Sequence, residues 1–317
     1  MTERVITYDE VQNHIFIWGA LLWVKRSGKV VTLSNCGDYI DHIFLKKLFQ
    51  NDEVIKLNSF LSEELTSSLS NSFKKLEESK FERERVGLRD PIISPFISTM
   101  VLGTEQGSLI DWTHACYNSF YELPRDLEDK YLQKNFELFE RSFIVATVST
   151  LIAFTCGYLN HSFLKRVYNT VLLIDFNMLD KGVSQYHFDN FERDRVGGNT
   201  SMDSVLLKAH SDHTKLDYGL IEQVTGGNLI LEQLIEFHHE DLNSGKGPAR
   251  VYDSDTGDLQ KIVSFCEKLI PYSSHVYSGD DATNFLGAGL GLVDGHERLK
   301  RILSLSIYEF DEKAQAS

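Results

Sequence analysis

The chain has 317 residues, of which 42% are hydrophobic, so it is long and apolar enough to bury a large core. Its 46 acidic and 32 basic residues give a formal net charge of -14 without a basic tail, which argues against nucleic acid as a partner. The four cysteines are far apart and show no paired spacing, a pattern that predicts free thiols in a reducing, cytoplasmic environment.

No stretch of the sequence is typical of a membrane or export signal. The longest apolar run, residues 143–158, is shorter than the roughly 20 residues that a membrane-spanning helix needs. The first residues lack a basic region followed by an apolar stretch. We therefore expect neither membrane insertion nor export.

The N-terminal half opens with a predicted hairpin. Two apolar segments, residues 15–24 and 30–33, flank the charged, glycine-containing segment 25–29, which is typical of two strands joined by a turn. Apolar residues then recur every three or four positions between Phe60 and Leu76, so an amphipathic helix is predicted there.

Two further features complete this half of the chain. The charged segment 77–89 is expected to be solvated. A helix is predicted to start near Pro124, and helical spacing over residues 131–156 predicts a long buried helix that ends near Gly157.

After residue 160 the pattern changes to short apolar segments separated by Gly, Asp and Asn. Their β-branched content predicts strands at residues 170–176, 204–209, 219–224, 229–234, 260–265, 274–277 and 301–310. The sequence therefore predicts an α+β fold, in which a mainly helical region, residues 1–160, packs on a β-barrel or jelly-roll core, residues 161–317.

One of these strands carries a possible metal-binding pair. Residues i and i+2 of a strand point to the same face, so His210 and Asp212 could bind one ion together, with His275 on a later strand as the third ligand. The same alternation turns His213 away from the ion. Two imidazoles and one carboxylate on one face of an ion are typical of non-haem Fe(II) oxygenases.

The surrounding segments resemble the isopenicillin N synthase-like branch of the Fe(II)/2-oxoglutarate-dependent oxygenases. The similarity covers the segment from Ala209-His210-Ser211-Asp212 to Gly226-Gly227-Asn228-Leu229, and segments 120–130, 272–276 and 301–308 match further family motifs in the right order. The resemblance implies a double-stranded β-helix as the jelly-roll core.

The same resemblance implies an activity and its cofactors. The chain would be a dioxygenase that uses Fe(II), 2-oxoglutarate and O2 to hydroxylate a small molecule in secondary metabolism. From the net charge and the short apolar runs, neither nucleic acid nor a membrane is expected as a partner. Arg301 would pair with the far carboxylate of 2-oxoglutarate, and Lys300 is the neighbouring substitute. Residues 279–295 lengthen the usual distance between His275 and Arg301, and Leu303 replaces a serine of the family.

Three alternatives stay open. His187 and Asp189 form a rival pair that would share His275 and Arg301. The chain could also be a non-catalytic relative that binds a small ligand or a protein. Finally, His238 and His239 are similar to the paired histidines of HD-type metallo-phosphohydrolases, although a surface pair is the plainer interpretation. That last function requires a helical bundle in the C-terminal half.

Overall fold

The computed structural model describes residues 2–12, 18–34, 41–59, 61–96, 108–180, 208, 212–215, 218–239 and 257–270. Over these residues the chain is mostly helical and contains one antiparallel sheet of four strands. The sheet belongs to the N-terminal segment, and the helices that follow it build the main core.

The sheet consists of β1 (Thr2–Val5), β2 (Gly19–Val24), β3 (Val30–Ser34) and β4 (Val54–Ser59), in the spatial order β1-β4-β2-β3. The hairpin prediction is confirmed, because β2 and β3 pair antiparallel across the predicted turn. Gly19 lets β4 approach closely, since a Cβ at this position would collide with the carbonyl oxygen of Asn58. Two short helices, α1 (Tyr8–Val11) and α2 (His42–Gln50), share a small core with the sheet.

The remaining helices have the following bounds in chain order: α3 (Glu63–Glu78), α4 (Glu82–Phe96), α5 (Ser108–Phe120), α6 (Arg125–Lys134), α7 (Phe136–Thr155), α8 (His161–Leu172), α9 (Tyr218–Thr225), α10 (Leu229–Phe237) and α11 (Asp258–Leu269). A 3-10 helix, Phe176–Asp180, follows α8 after a short turn.

The helices of the N-terminal half follow local sequence signals. Helix α3 is capped by Ser62, whose side chain accepts a hydrogen bond from the Leu65 amide, and it buries Leu69, Phe73 and Leu76 as the periodicity predicts. The helix predicted near Pro124 starts at the next residue. The long helical pattern is interrupted at Asn135, which caps α7, and α7 ends before Gly157 at a positive φ of 98°.

Helix α7 lies at the centre of the bundle and contacts α4, α5, α6, α8 and α11. Its segment Leu138–Thr155 is apolar and long enough to cross a membrane by composition alone, but 94% of that segment is buried inside the fold. Such a buried apolar segment is typical of the central helix of a globular protein.

The jelly-roll prediction is wrong. Residues predicted as strands at 219–224, 229–234 and 260–265 lie in α9, α10 and α11, and segment 170–176 runs from the end of α8 into the 3-10 helix. Short apolar runs fit both periods, and here the helical alternative buries Leu231, Leu234 and Ile235 on one face. Segments 274–277 and 301–310 lie outside the described residues, as does 204–209 apart from Lys208.

The oxygenase prediction fails with the jelly roll. The segment after Asp212 carried much of the resemblance, and its described part contains the helices α9 and α10, whereas the oxygenase site is built on strands of a β-helix. One hydrophobic core extends from Trp18 to Ile270 across residue 160, and the proposed division of the chain at that point stays a prediction.

Candidate metal centre

Four buried side chains converge in the C-terminal half: Asp175, His213, His238 and His239. Each offers one ligand atom, and these atoms all lie within 4.8 Å of one another. None of the four residues is more than 5% exposed. Burying so many polar groups is unfavourable unless they bind each other or a cation, so the cluster requires a chemical explanation.

Three separate elements position the cluster. Asp175 lies in the turn between α8 and the 3-10 helix. His213 lies in a short helical turn that is closed by a hydrogen bond from the Lys215 amide to the Asp212 carbonyl. His238 and His239 follow the last residue of α10, where the partial negative charge of a helix C-terminus favours a cation.

The spacing of three ligand atoms fits a single metal ion. The Nε2 atoms of His213 and His238 are 3.2 Å apart, and each lies 3.6 Å from Oδ1 of Asp175. A point equidistant from these three atoms lies about 2 Å from each, which is close to the length of a bond from Zn2+ to imidazole nitrogen or carboxylate oxygen.

His238 presents the correct nitrogen to this point. Its Nδ1 lies 2.7 Å from the carbonyl oxygen of Ile235. Because a carbonyl can only accept, Nδ1 donates this hydrogen bond, and in the neutral ring the lone pair is then on Nε2. Metal-binding histidines are commonly oriented by such a bond from their other nitrogen.

Asp175 is oriented by an arginine on α7. Nη1 of Arg141 donates to Oδ2 of Asp175 at 2.8 Å, which leaves Oδ1 directed toward the histidines. Arg141 is also paired with Glu267 on α11, at 2.9 Å between Nη2 and Oε2. All three residues are at most 5% exposed, so this charged triad belongs to the interior of the protein.

The electrostatics of the cluster favour positive charge on His238. Burial by itself raises the pKa of Asp175, but its contacts with His238 and the charge of Arg141 outweigh burial and hold that pKa well below the ordinary value. Burial disfavours protonated His238, yet the Asp175 carboxylate reverses this effect and raises the pKa of His238. Burial raises the pKa of Glu267 despite the neighbouring guanidinium.

Of the residues predicted for the oxygenase site, only Asp212 lies in the part of the chain that the structure describes. His210, His275 and Arg301 lie outside the described residues, as do the rival pair His187 and Asp189.

Asp212 is described, and its carboxylate is partly exposed at 3.3 Å from Nζ of Lys215. The next residue, His213, is fully buried in the cluster rather than turned toward solvent. The backbone here forms a helical turn, in which successive side chains do not alternate as they do in a strand.

Asp175 is not among the residues predicted from the sequence, and the interpretation of His238 and His239 as a surface pair is wrong, because both histidines are buried. A signal for His238 was present. Leu231, Leu234 and Ile235 lie on one buried face of α10, and His238 continues that face because it follows Leu234 by four positions and Ile235 by three. No comparable pattern in the sequence marks Asp175.

No protein-family model matches the chain, and no curated protein does. Among solved structures, the chain is similar to "Bd1817, a HDG"Y"P protein from Bdellovibrio bacteriovorus", with a TM-score of 0.41 and 14% sequence identity over 98% of this chain and 100% of that chain. A similarity at this level does not establish a common fold or function.

Proposed function

We propose that the chain is a metal-dependent phosphohydrolase, with one metal ion held by Asp175, His213 and His238 and with His239 beside them. The observation that carries the proposal is the mutual spacing of 3.2 to 3.6 Å between Oδ1 of Asp175 and the two Nε2 atoms. A phosphohydrolase with paired histidines also requires helices in the C-terminal half, and α9, α10 and α11 are helices of that half.

The ligand types restrict the metal. Imidazole nitrogens with a single carboxylate suit Zn2+, Mn2+, Fe2+ or Co2+ better than Ca2+ or Mg2+, which prefer oxygen ligands. Such an ion, when bound, polarises a phosphoryl oxygen and lowers the pKa of a bound water. Neutral imidazoles and one carboxylate compensate only part of a divalent charge, so the site suits an anionic substrate such as a phosphate ester.

A structural metal site is the second candidate. All four side chains of the cluster are buried. Structural zinc sites are typically closed by four protein ligands, whereas catalytic sites keep one position open for water or substrate. This candidate corresponds to a non-catalytic protein that uses the ion to stabilise its fold.

One set of measurements separates the two candidates. The protein is depleted of metal, reloaded with Zn2+, Mn2+, Co2+ or, anaerobically, Fe2+, and assayed with p-nitrophenyl phosphate and bis(p-nitrophenyl) phosphate. We expect bound metal and hydrolysis in the wild type, and loss of both in His213→Gln and His238→Gln. The control is His161→Gln, which changes a buried histidine of α8 that is not part of the cluster.

Each outcome has a defined meaning. Metal binding without hydrolysis of either ester favours the structural site, and absence of metal binding contradicts both candidates. The compartment is a further part of the proposal: the described cysteines Cys116, Cys156 and Cys266 are not joined in disulfides, which supports a reducing, cytoplasmic location.

A further inference from the structure

Arg141 is held in the interior by oxygen atoms from two elements. Its Nε and Nη2 atoms donate to the carbonyl oxygen of Ile270 at 3.0 and 2.8 Å. Nη2 also contacts the carbonyl oxygen and Oε2 of Glu267 at 3.1 and 2.9 Å, and Nη1 lies 2.8 Å from Oδ2 of Asp175 and 3.4 Å from Oε1 of Glu267. The guanidinium therefore lies between two carboxylates and two backbone carbonyls.

This arrangement of oxygen atoms has the chemistry of a cation site. Carboxylate and backbone carbonyl oxygens are the ligands that Ca2+ uses in proteins, and Mn2+ also accepts them. In this chain the position is taken by a guanidinium, which keeps its charge because it does not lose a proton in proteins. The side chain is 1% exposed, so the guanidinium fills this position in the interior of the protein.

Asp175 connects this position to the histidine cluster. Its Oδ2 faces Arg141, and its Oδ1 faces His213 and His238. One oxygen of this carboxylate therefore pairs with the fixed charge of Arg141, and the other would bind the metal ion of the proposed centre.

We infer that the guanidinium of Arg141 occupies an oxygen-lined cation site next to the proposed metal centre. Because this charge belongs to the protein, the cation site and the metal centre together bind only one exchangeable metal ion. Arg141 is therefore a positioning residue, since it directs one oxygen of Asp175 toward the histidines and neutralises Glu267. The oxygen contacts of Arg141 support the oxygen-lined cation site by themselves, while the effect of Arg141 on the exchangeable ion rests on the proposed function.

The test is the number of ions bound per chain. Wild type and variants are dialysed against Mn2+ or Ca2+, and the bound metal is measured by mass spectrometry. We expect one Mn2+ and no tightly bound Ca2+ in the wild type. Arg141→Ala should bind one additional ion, which Ca2+ can supply because the vacated ligands are all oxygen.

Two matched variants serve as controls. Arg141→Lys keeps a positive charge in the oxygen cage and should bind the same number of ions as the wild type. Arg89→Ala removes an arginine that donates to a backbone carbonyl, that of Thr155, and it should also leave the ion count unchanged.

A second readout uses rescue by the missing group. Without an added cation, Arg141→Ala should bind Zn2+ about 10- to 100-fold more weakly than the wild type, the usual loss when a group that orients a metal ligand is removed. Low, non-denaturing concentrations of guanidinium should restore Zn2+ affinity in Arg141→Ala and compete with the additional Ca2+, while leaving Arg89→Ala unaffected.

Several results would overturn the inference. One is a wild type that binds two exchangeable ions, and another is an Arg141→Ala variant that binds no additional ion. A third is an Arg141→Ala variant that neither Ca2+ nor guanidinium returns to the folded state. A wild type that binds no transition metal, together with an Arg141→Ala variant that gains Ca2+, would refute the proposed function and leave the oxygen-lined site intact.

Discussion

Replacement of His238 by glutamine tests the metal centre through protein stability. A ligand that binds only the folded state stabilises it by about 2.7 kcal/mol at 100 times its Kd. An unfolding entropy of about 2.1 cal/mol/K per residue amounts to about 0.7 kcal/mol/K over 317 residues, so we expect metal to raise the Tm of the wild type by about 4 °C.

His238→Gln removes one of the three converging ligand atoms. If affinity falls about 100-fold, the same ion concentration equals about one Kd, the stabilisation drops to about 0.4 kcal/mol, and the shift in Tm is below about 1 °C. Each protein is measured by differential scanning calorimetry with and without metal, so any effect of the substitution on the metal-free fold cancels. His161→Gln is the control and should keep the full shift.

The reasoning is refuted by either of two results. One is a wild type whose Tm does not respond to Zn2+, Mn2+, Co2+ or Fe2+. The other is a His238→Gln variant whose Tm rises with metal as much as that of the wild type, since the ion would then bind elsewhere.

Three further predictions concern the bundle around the site, and each is measured by urea unfolding. Phe73→Ala should cost about 3 to 5 kcal/mol because the ring is 1% exposed, whereas Val86→Ala, at 52% exposure, should change stability by less than about 0.5 kcal/mol; equal losses would contradict the packing described here. Asn169→Ala should cost about 2 to 3 kcal/mol, because its side chain accepts from the Glu122 amide and donates to two carbonyls, and a loss below about 0.5 kcal/mol would show that these hydrogen bonds are not needed. Burial lowers the pKa of His161 below its ordinary value of 6.5, so the unfolded chain binds a proton first and stability is lost as pH falls below about 6.5; His161→Phe should be less sensitive to acid, and equal sensitivity would rule out this contribution.

Some elements are visible in the sequence because their signals are local. The hairpin of β2 and β3 follows from two apolar segments around a charged turn, and α3 follows from three- and four-residue spacing after a serine cap. The end of α7 follows from Gly157, whose positive φ suits a residue without a side chain. Each of these elements is determined by residues that lie close together in the sequence.

The helices of the C-terminal half were misassigned for a physical reason. The apolar segments 219–224, 229–234 and 260–265 are too short for their period to distinguish strand from helix. Longer windows restore the helical signal: in α11, Leu259, Ile262, Val263 and Cys266 are buried at helical spacing. Packing against α7 then stabilises the helix over the local preference of the β-branched residues.

The candidate site was accessible to sequence reasoning only in fragments. The adjacent pair His238-His239 is visible as a motif, and its place at the end of a buried helical face is visible in hindsight. The partners are not, because Arg141, Asp175 and His213 are distant in sequence and lie close together only in the folded chain.

By itself, then, the sequence determined the large apolar core, the excess of acidic residues, the N-terminal hairpin and the helices whose caps and spacing are strong. Tertiary structure alone decided which polar residues share the interior. A buried carboxylate must find a cation, and only the folded chain shows that Asp175 has Arg141 on one oxygen and two imidazoles beside the other. That choice, made by contacts between distant segments, distinguishes a candidate metal centre from a pair of surface histidines.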